Sequence, residues 1–210
     1  MAESLILDDD AVLWSRPESE RADRPLLLML HGRGSQEADL AGLADAFPPE
    51  LVVASLRGPV PDGPGFSWFQ VTRPGNPFPY QVDGAADAVL SWLDGQPFVP
   101  SSLGLLGFSQ GAVVSLQLLR RVPERVGYAL NLSGLVGEGS EPGDDAIARH
   151  PVFWGRGDAD PRIEPGPIAL SEAWLSAHVD LEEHVYPGLG HSISREELDD
   201  IAAFLKARLP

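Results

Sequence analysis

Apolar positions along this chain fall into two alternating kinds of run. Short continuous runs, bounded by Gly, Pro or polar residues, occupy 25–30, 51–54, 103–107 and 151–155, and 126–134 reads as a further strand ending in a Ser-Gly turn. Runs of that length and purity predict strands buried on both faces of a parallel sheet. Between them lie segments with helical spacing. These are 36–47 (Leu40, Leu43, Ala44, Phe47), 82–93 (Ala85, Ala86, Val89, Leu90, Leu93), the stretch from 110 to 121, and 167–178 (Ile168, Leu170, Ala173, Trp174, Leu175). Residues 181–186 read as the last strand. Ser194 opens the last helix, which runs to about 205, and Glu197 three residues on completes a capping-box pattern. Strand and helix alternate, which predicts an α/β fold with a central, mostly parallel sheet and helices on both faces.

Three segments depart from that alternation. Residues 4–16 suggest two short edge strands flanking Asp8-Asp9-Asp10, and 135–149 are polar and Gly-rich with a short helix around 144–149. From 57 to 80 the chain is rich in Pro and Gly and regular structure is expected to stop, yet it carries Phe66, Trp68, Phe69, Phe78 and Tyr80. A loop that long inside a compact domain is usually functional. Its aromatics either rim an apolar pocket or anchor the loop to the core, and both readings stay open.

Length adds a limit: 210 residues make one domain, 1–210, with room for a real core. With 31 acidic residues against 15 basic, the net charge is −16, and a field of that sign repels phosphate backbones and anionic membranes. No nucleic-acid partner is expected. The absence of Cys removes disulfides and thiolate chemistry and suits a reducing compartment. No signal-peptide pattern opens the sequence and no apolar run is long enough for a bilayer, so the expectation is a cytoplasmic protein without stable membrane insertion. Exposed apolar residues within 57–80 could serve a homodimer as easily as a pocket.

The chemistry centres on 103–121. A buried strand ends at Gly107, Ser109 stands in Gly107-Phe108-Ser109-Gln110-Gly111, and a helix starts at once. Strand, sharp turn and helix around G-x-S-x-G resemble the nucleophile elbow of the α/β-hydrolases, in which the serine is lifted clear of the sheet edge. A serine nucleophile needs a base, a residue to orient that base, and donors for the developing oxyanion. Of the five histidines, His191 alone follows Ser109 in a Gly-flanked loop just past a strand. Asp158 and Asp160 both lie in the loop after the preceding strand, and the residues leave the choice between them open. Strand ends on one edge of a parallel sheet lie together in space.

Six segments extend the resemblance: Leu30-His31-Gly32-Arg33-Gly34, Arg57-Gly58-Pro59, Trp68-Phe69, the elbow itself, Asp160-Pro161 and Gly188-Leu189-Gly190-His191. Together they resemble the small carboxylesterase, phospholipase and acyl-protein thioesterase family of α/β-hydrolases. The resemblance implies Ser109, Asp160 and His191 as catalytic residues, with Asp158 as the alternative acid. It implies an oxyanion hole built from the main-chain N–H groups of Arg33 and Gln110. Arg156-Gly157 stands where the family usually has His-Gly, and Ile163-Glu164-Pro165 where Val-Pro is usual.

About 25 residues separate Ser133 from Asp160, too few for a large cap domain. An open cleft is therefore expected, rimmed by Phe66, Trp68, Phe69 and Leu135. The expected function is a serine carboxylesterase acting on short- to medium-chain esters, a small-molecule substrate class. The alternatives are a lysophospholipase or acyl thioesterase with the same residues, or a non-catalytic binding member of the fold. No metal and no organic cofactor are expected, because no H-E-x-x-H, Cys/His cluster or P-loop occurs in the sequence.

Overall fold

The computed structural model describes residues 4–71, 79–137, 139, 141–147 and 149–209. Its strands are β1 (Leu13–Trp14), β2 (Pro25–Leu30), β3 (Val52–Leu56), β4 (Val60–Asp62), β5 (Gly65–Ser67), β6 (Ser102–Phe108), β7 (Tyr128–Leu132), β8 (Pro151–Gly157) and β9 (Asp180–Tyr186). The helices are α1 (Ala38–Ala41), α2 (Pro79–Asp94), α3 (Gln110–Arg121), α4 (Pro165–His178) and α5 (Arg195–Lys206). Seven strands form one sheet in the order β1-β3-β2-β6-β7-β8-β9, parallel throughout except for β1 against β3. This is the central, mostly parallel sheet expected from the alternation, in the α/β-hydrolase arrangement that the resemblance implies, and the described residues hold no large cap domain.

Side-chain alternation divides the core. Leu26, Leu28, Leu30, Leu105 and Trp154 face the layer of α2, α3 and α4, while Leu27, Met29, Leu106, Leu130 and Phe153 face α1 and α5. Every residue of β2 is buried, which is why its sequence is a continuous apolar run rather than an alternating one. The strand order reverses between β2 and β6. The connections leaving their carboxyl ends therefore run to opposite sides, and a crevice forms between them in open α/β sheets.

The three segments that depart from the alternation each need correction. In 4–16 only Leu13–Trp14 pairs as a strand; residues Asp9–Ala11 wind into a 3₁₀ turn. Leu7 and Val12 drop into the core, and the Asp9 carboxylate accepts the Trp92 indole N–H at 2.6 Å, which holds the segment off the sheet. The segment 57–80 is not irregular throughout, since β4 and β5 form a hairpin in it, turned at Gly63 with φ +64°. Phe78 and the side chain of Tyr80 lie outside the described residues. The short helix expected at 144–149 is replaced by turns over 142–146. There the fully buried Arg120 grips Asp144 through two bonds of 2.7 and 2.9 Å and donates to the carbonyls of Gly137 and Gly139, so side-chain bonds rather than helical ones fix the path.

The capping box on α5 forms only by half. Glu197 N–H donates to Ser194 Oγ at 3.0 Å, but the Glu197 side chain turns inward and neither carboxylate oxygen has a partner among the described residues. It is fully buried over Gly155, where a Cβ would collide with it. Burial pushes its carboxyl up to about 7. The folded protein then holds this proton more tightly than the unfolded chain does. The resulting stability is present below the ordinary glutamate range and lost as pH rises through about 7. Glu197→Gln should therefore leave stability near wild type at about pH 5 and raise it by about 2 kcal/mol at about pH 8, read from urea unfolding curves at both pH values.

Candidate active site

The elbow is a collision-limited piece of backbone. A Cβ at Gly107 would strike the Gly111 carbonyl and the Ala112 N–H, and one at Gly111 would strike the carbonyls of Leu30 and His31 at the end of β2. Only glycine lets the three chain segments approach this closely. Between them Ser109 adopts φ 55° and ψ −114°, a conformation L-residues rarely hold. Its N–H donates to Leu132 O at 2.8 Å, so the strained residue is tied to the end of β7. Ser109 precedes the first residue of α3, and the positive end of that helix faces it.

The serine hydroxyl lies 2.9 Å from His191 Nε2, and His191 Nδ1 lies 2.6 Å from Asp160 Oδ2. The Asp160 side chain is only 2% exposed and that of His191 11%. Asp160 Oδ1 accepts the Arg162 N–H at 2.8 Å, and the His191 ring packs 4.9 Å from that of Phe108. Asp158 points elsewhere: its Oδ1 accepts the Gly188 N–H at 2.6 Å and shapes the turn that carries His191. The two loops also touch directly, because a Cβ at Gly157 would run into Leu189 O.

Gln110 opens α3 directly after the serine, and Arg33 follows Gly32, where a Cβ would lie 3.6 Å from Ser109 Cβ. Among the described residues neither main-chain N–H donates to an acceptor. Four contacts fix the turn at 31–34 against the β4–β5 hairpin. Gly34 N–H donates to Ser67 Oγ at 3.2 Å, Ser67 Oγ donates to Asp62 at 2.7 Å, Arg33 Nε donates to Asp62 at 2.9 Å, and Phe66 N–H donates to Ser35 O at 2.7 Å. These bonds from Arg33 and Ser67 hold the Asp62 carboxyl below the usual carboxylate range. His31 is fully buried and accepts the Gly58 N–H at Nε2, 3.0 Å away, so its proton sits on Nδ1 and faces Gly32 O at 2.7 Å. Burial lowers its basicity and keeps the ring neutral.

The expected rim residues separate. Trp68 is wholly buried and its indole donates to His31 O at 2.8 Å, so it anchors the loop from beneath and does not line an open cleft. Phe66 packs under the Arg57 guanidinium, and strand alternation turns it to the opposite face of the hairpin from Ser67. Phe69 lines a cavity of about 270 Å³ beside the 31–34 turn, with Arg33, Val60, Asp62 and Val71. Leu135 is half-buried just past β7. A larger cavity of about 580 Å³ lies at the other end of the strands, near Ser102, Gly127 and His150, away from the serine. Sequence reasoning missed the Gln110 side chain, Asp62 and the ring of His31. A buried glutamine at a helix start was one available signal, since its amide must find partners.

The sequence model of the phospholipase/carboxylesterase family matches residues 90–209, more than half of the chain. The chain belongs to that family. Acyl-protein thioesterase 1 of Saccharomyces cerevisiae is 30% identical over 119 residues, 52% of this chain and 51% of that protein. Carboxylesterase SOBER1 of Arabidopsis thaliana is 28% identical over 217 residues, 89% of this chain and 91% of the relative. With the first curated relatives it matches, the chain spans about half of their length. A crystal structure of a carboxylesterase from Mesorhizobium loti shares the fold at a TM-score of 0.82 and 23% identity, covering 97% of this chain and 99% of that one. Among the described residues of this family member, no helix is long and apolar enough to cross a membrane, and no group of three or more His, Asp and Glu could hold a metal ion.

The strain at Ser109 is measurable separately from its chemistry. Ser109→Ala and Ser109→Gly both remove the hydroxyl, but only glycine relieves the backbone. The glycine variant should be more stable than the alanine variant by about 1 kcal/mol, the strain relief less the entropy of a more flexible unfolded chain, as read by thermal or urea unfolding.

Proposed function

We propose that this family member is a serine carboxylesterase that cleaves short- to medium-chain esters through an acyl-enzyme. The observation that carries the reading is the unbroken chain of contacts Ser109 Oγ–His191 Nε2–Asp160 Oδ2, at 2.9 and 2.6 Å, on a strained elbow. A neutral His191 accepts the Ser109 proton as Oγ attacks the ester carbonyl. Asp160 holds the Nδ1 proton and stabilises the imidazolium that forms. The carbonyl oxygen, now negative, sits between the N–H groups of Arg33 and Gln110. The imidazolium returns its proton to the departing alcohol. Water, deprotonated by His191, then opens the acyl-enzyme to the carboxylic acid and free Ser109.

Acyl-protein thioesterases among the relatives support a second reading, cleavage of thioesters by the same residues. Lysophospholipid cleavage would need the same groups. The modest cavity at Phe69 and the polar Arg33–Asp62 wall favour short acyl groups over long ones.

Ser109→Ala should lose fluorophosphonate labelling and all ester turnover while keeping its fold; retained turnover would end the reading. A panel of acetyl to palmitoyl esters, acyl thioesters and lysophospholipids should show kcat/KM greatest for the shorter esters, and a steady rise with acyl length would contradict that substrate class. Asp160→Asn should lower kcat by about 10⁴ by disturbing the histidine tautomer, whereas Asp158→Asn should cost far less. Equal losses in the two variants would remove the distinction between them.

A further inference from the structure

The two main-chain donors placed beside Ser109 belong to segments far apart in sequence, the turn after β2 and the first residue of α3. Donors of this kind act only when they lie about 2.7–3.1 Å from the developing oxyanion, so their mutual position has to be fixed tightly. The contact of Gly111 with Leu30 and His31 limits how closely the segments approach. It does not hold them together.

Residues 68 and 69 do. The Gln110 side chain accepts the Trp68 N–H at Oε1 and donates from Nε2 to Phe69 O, both at 2.8 Å. The Trp68 indole in turn donates to His31 O at 2.8 Å. The path runs from the α3 donor, through its own side chain, across Trp68, to the residue two before the β2 donor. Trp68 and His31 are fully buried and Gln110 is 7% exposed, so these bonds meet little competition from water. A merely buried tryptophan needs some acceptor for its N–H. Here the acceptor is the carbonyl at the base of the 31–34 turn, and the same residue's N–H is clasped by the elbow.

We propose that Trp68 is a positioning residue. Its indole N–H, with the Gln110 side-chain amide, braces the Arg33 and Gln110 main-chain N–H groups into one oxyanion-binding register. The proposal rests on the acyl-transfer reading given above. Trp68 touches no reacting atom, so its effect must appear as weaker stabilisation of the tetrahedral species, with substrate binding left alone.

Trp68→Phe keeps a buried aromatic ring and removes the donor together with the volume of the pyrrole ring. Gln110→Met keeps the main-chain N–H and removes both amide bonds. With p-nitrophenyl butyrate as probe, each variant should lose about 10- to 100-fold in kcat with KM within about twofold. The affinity of a trifluoromethyl ketone, which adds Ser109 Oγ to form a hemiketal oxyanion, should fall by the same factor as kcat/KM. The double variant should be little worse than the worse single one, because both act on one brace. Unchanged kcat, or lost kcat with the ketone's affinity retained, would overturn the proposal. Should Trp68→Phe fail to fold, Gln110→Met decides by the same two readings. A wild-type protein that neither turns over esters nor takes a fluorophosphonate label fails the acyl-transfer reading itself; an active wild type with unaffected variants fails only the brace.

Discussion

The contact of the elbow backbone with the end of β2 constrains everything built around it. Gly111 lies against the Leu30 and His31 carbonyls, and Gly107 against Gly111, leaving no space for a side chain at either position. Parallel pairing of β2 with β6, Leu30 opposite Gly107, sets the level at which the two strands end. Two consequences follow from this one close approach. Ser109 must take a φ of 55° to turn from strand into helix, and the 31–34 turn is brought beside the serine without any long excursion of the chain. The apolar side chains of β2 on both faces anchor the strand that makes this possible, so the burial of Leu26 to Leu30 is felt at the site as positional accuracy.

Polar groups around the site are satisfied largely by main-chain atoms of other loops, and this lets short loops act as one rigid body. Asp158 fixes the Gly188 turn, Ala159 N–H reaches Leu189 O, Gln110 clasps 68–69, and Ser67 with Asp62 holds Gly34 and Arg33. Asp160 is then free to bond His191 because its neighbour, two residues earlier, already holds the loop. On the other side of the sheet, Glu197 breaks the rule. A buried carboxyl with no partner costs stability at any pH where it ionises, and Gly155 exists as glycine to give it space.

How much of this was legible depended on what each segment uses to hold itself. Strands buried on both faces announce themselves by composition, so β2, β6, β7 and β8 were readable to within a few residues, as was α3 from its spacing. The β4–β5 hairpin was not. Pro59, Pro61 and Pro64 mask its alternation, and its order comes from main-chain bonds and from the bridge between Ser35 and Phe66. The helix expected at 36–47 shrinks to a single α-turn followed by a 3₁₀ stretch, since Gly42 interrupts it and no side chain caps its start. At the site, Ser109 and His191 stood out because their motif and loop context are local. Asp160 could be told from Asp158 by the residues only through resemblance, since which carboxylate faces a ring 31 residues away is a tertiary fact. Trp68 illustrates the same limit. Composition cannot distinguish an aromatic that rims a cleft from one that ties its floor together.

The charge of the molecule bears on the same site from a distance. Arg33 stands in the turn that the resemblance assigns to the oxyanion hole, and its side chain carries a positive charge. The structure places its guanidinium against Asp62, itself bonded by Ser67, so the charge of Arg33 is balanced locally. What remains is the field of the whole chain, at net −16. In the proposed reaction a neutral ester enters and a carboxylate leaves, and a field of that sign leaves the first unaffected while driving out the second. The same field opposes approach to anionic lipid surfaces, and salt screens that repulsion beyond a Debye length.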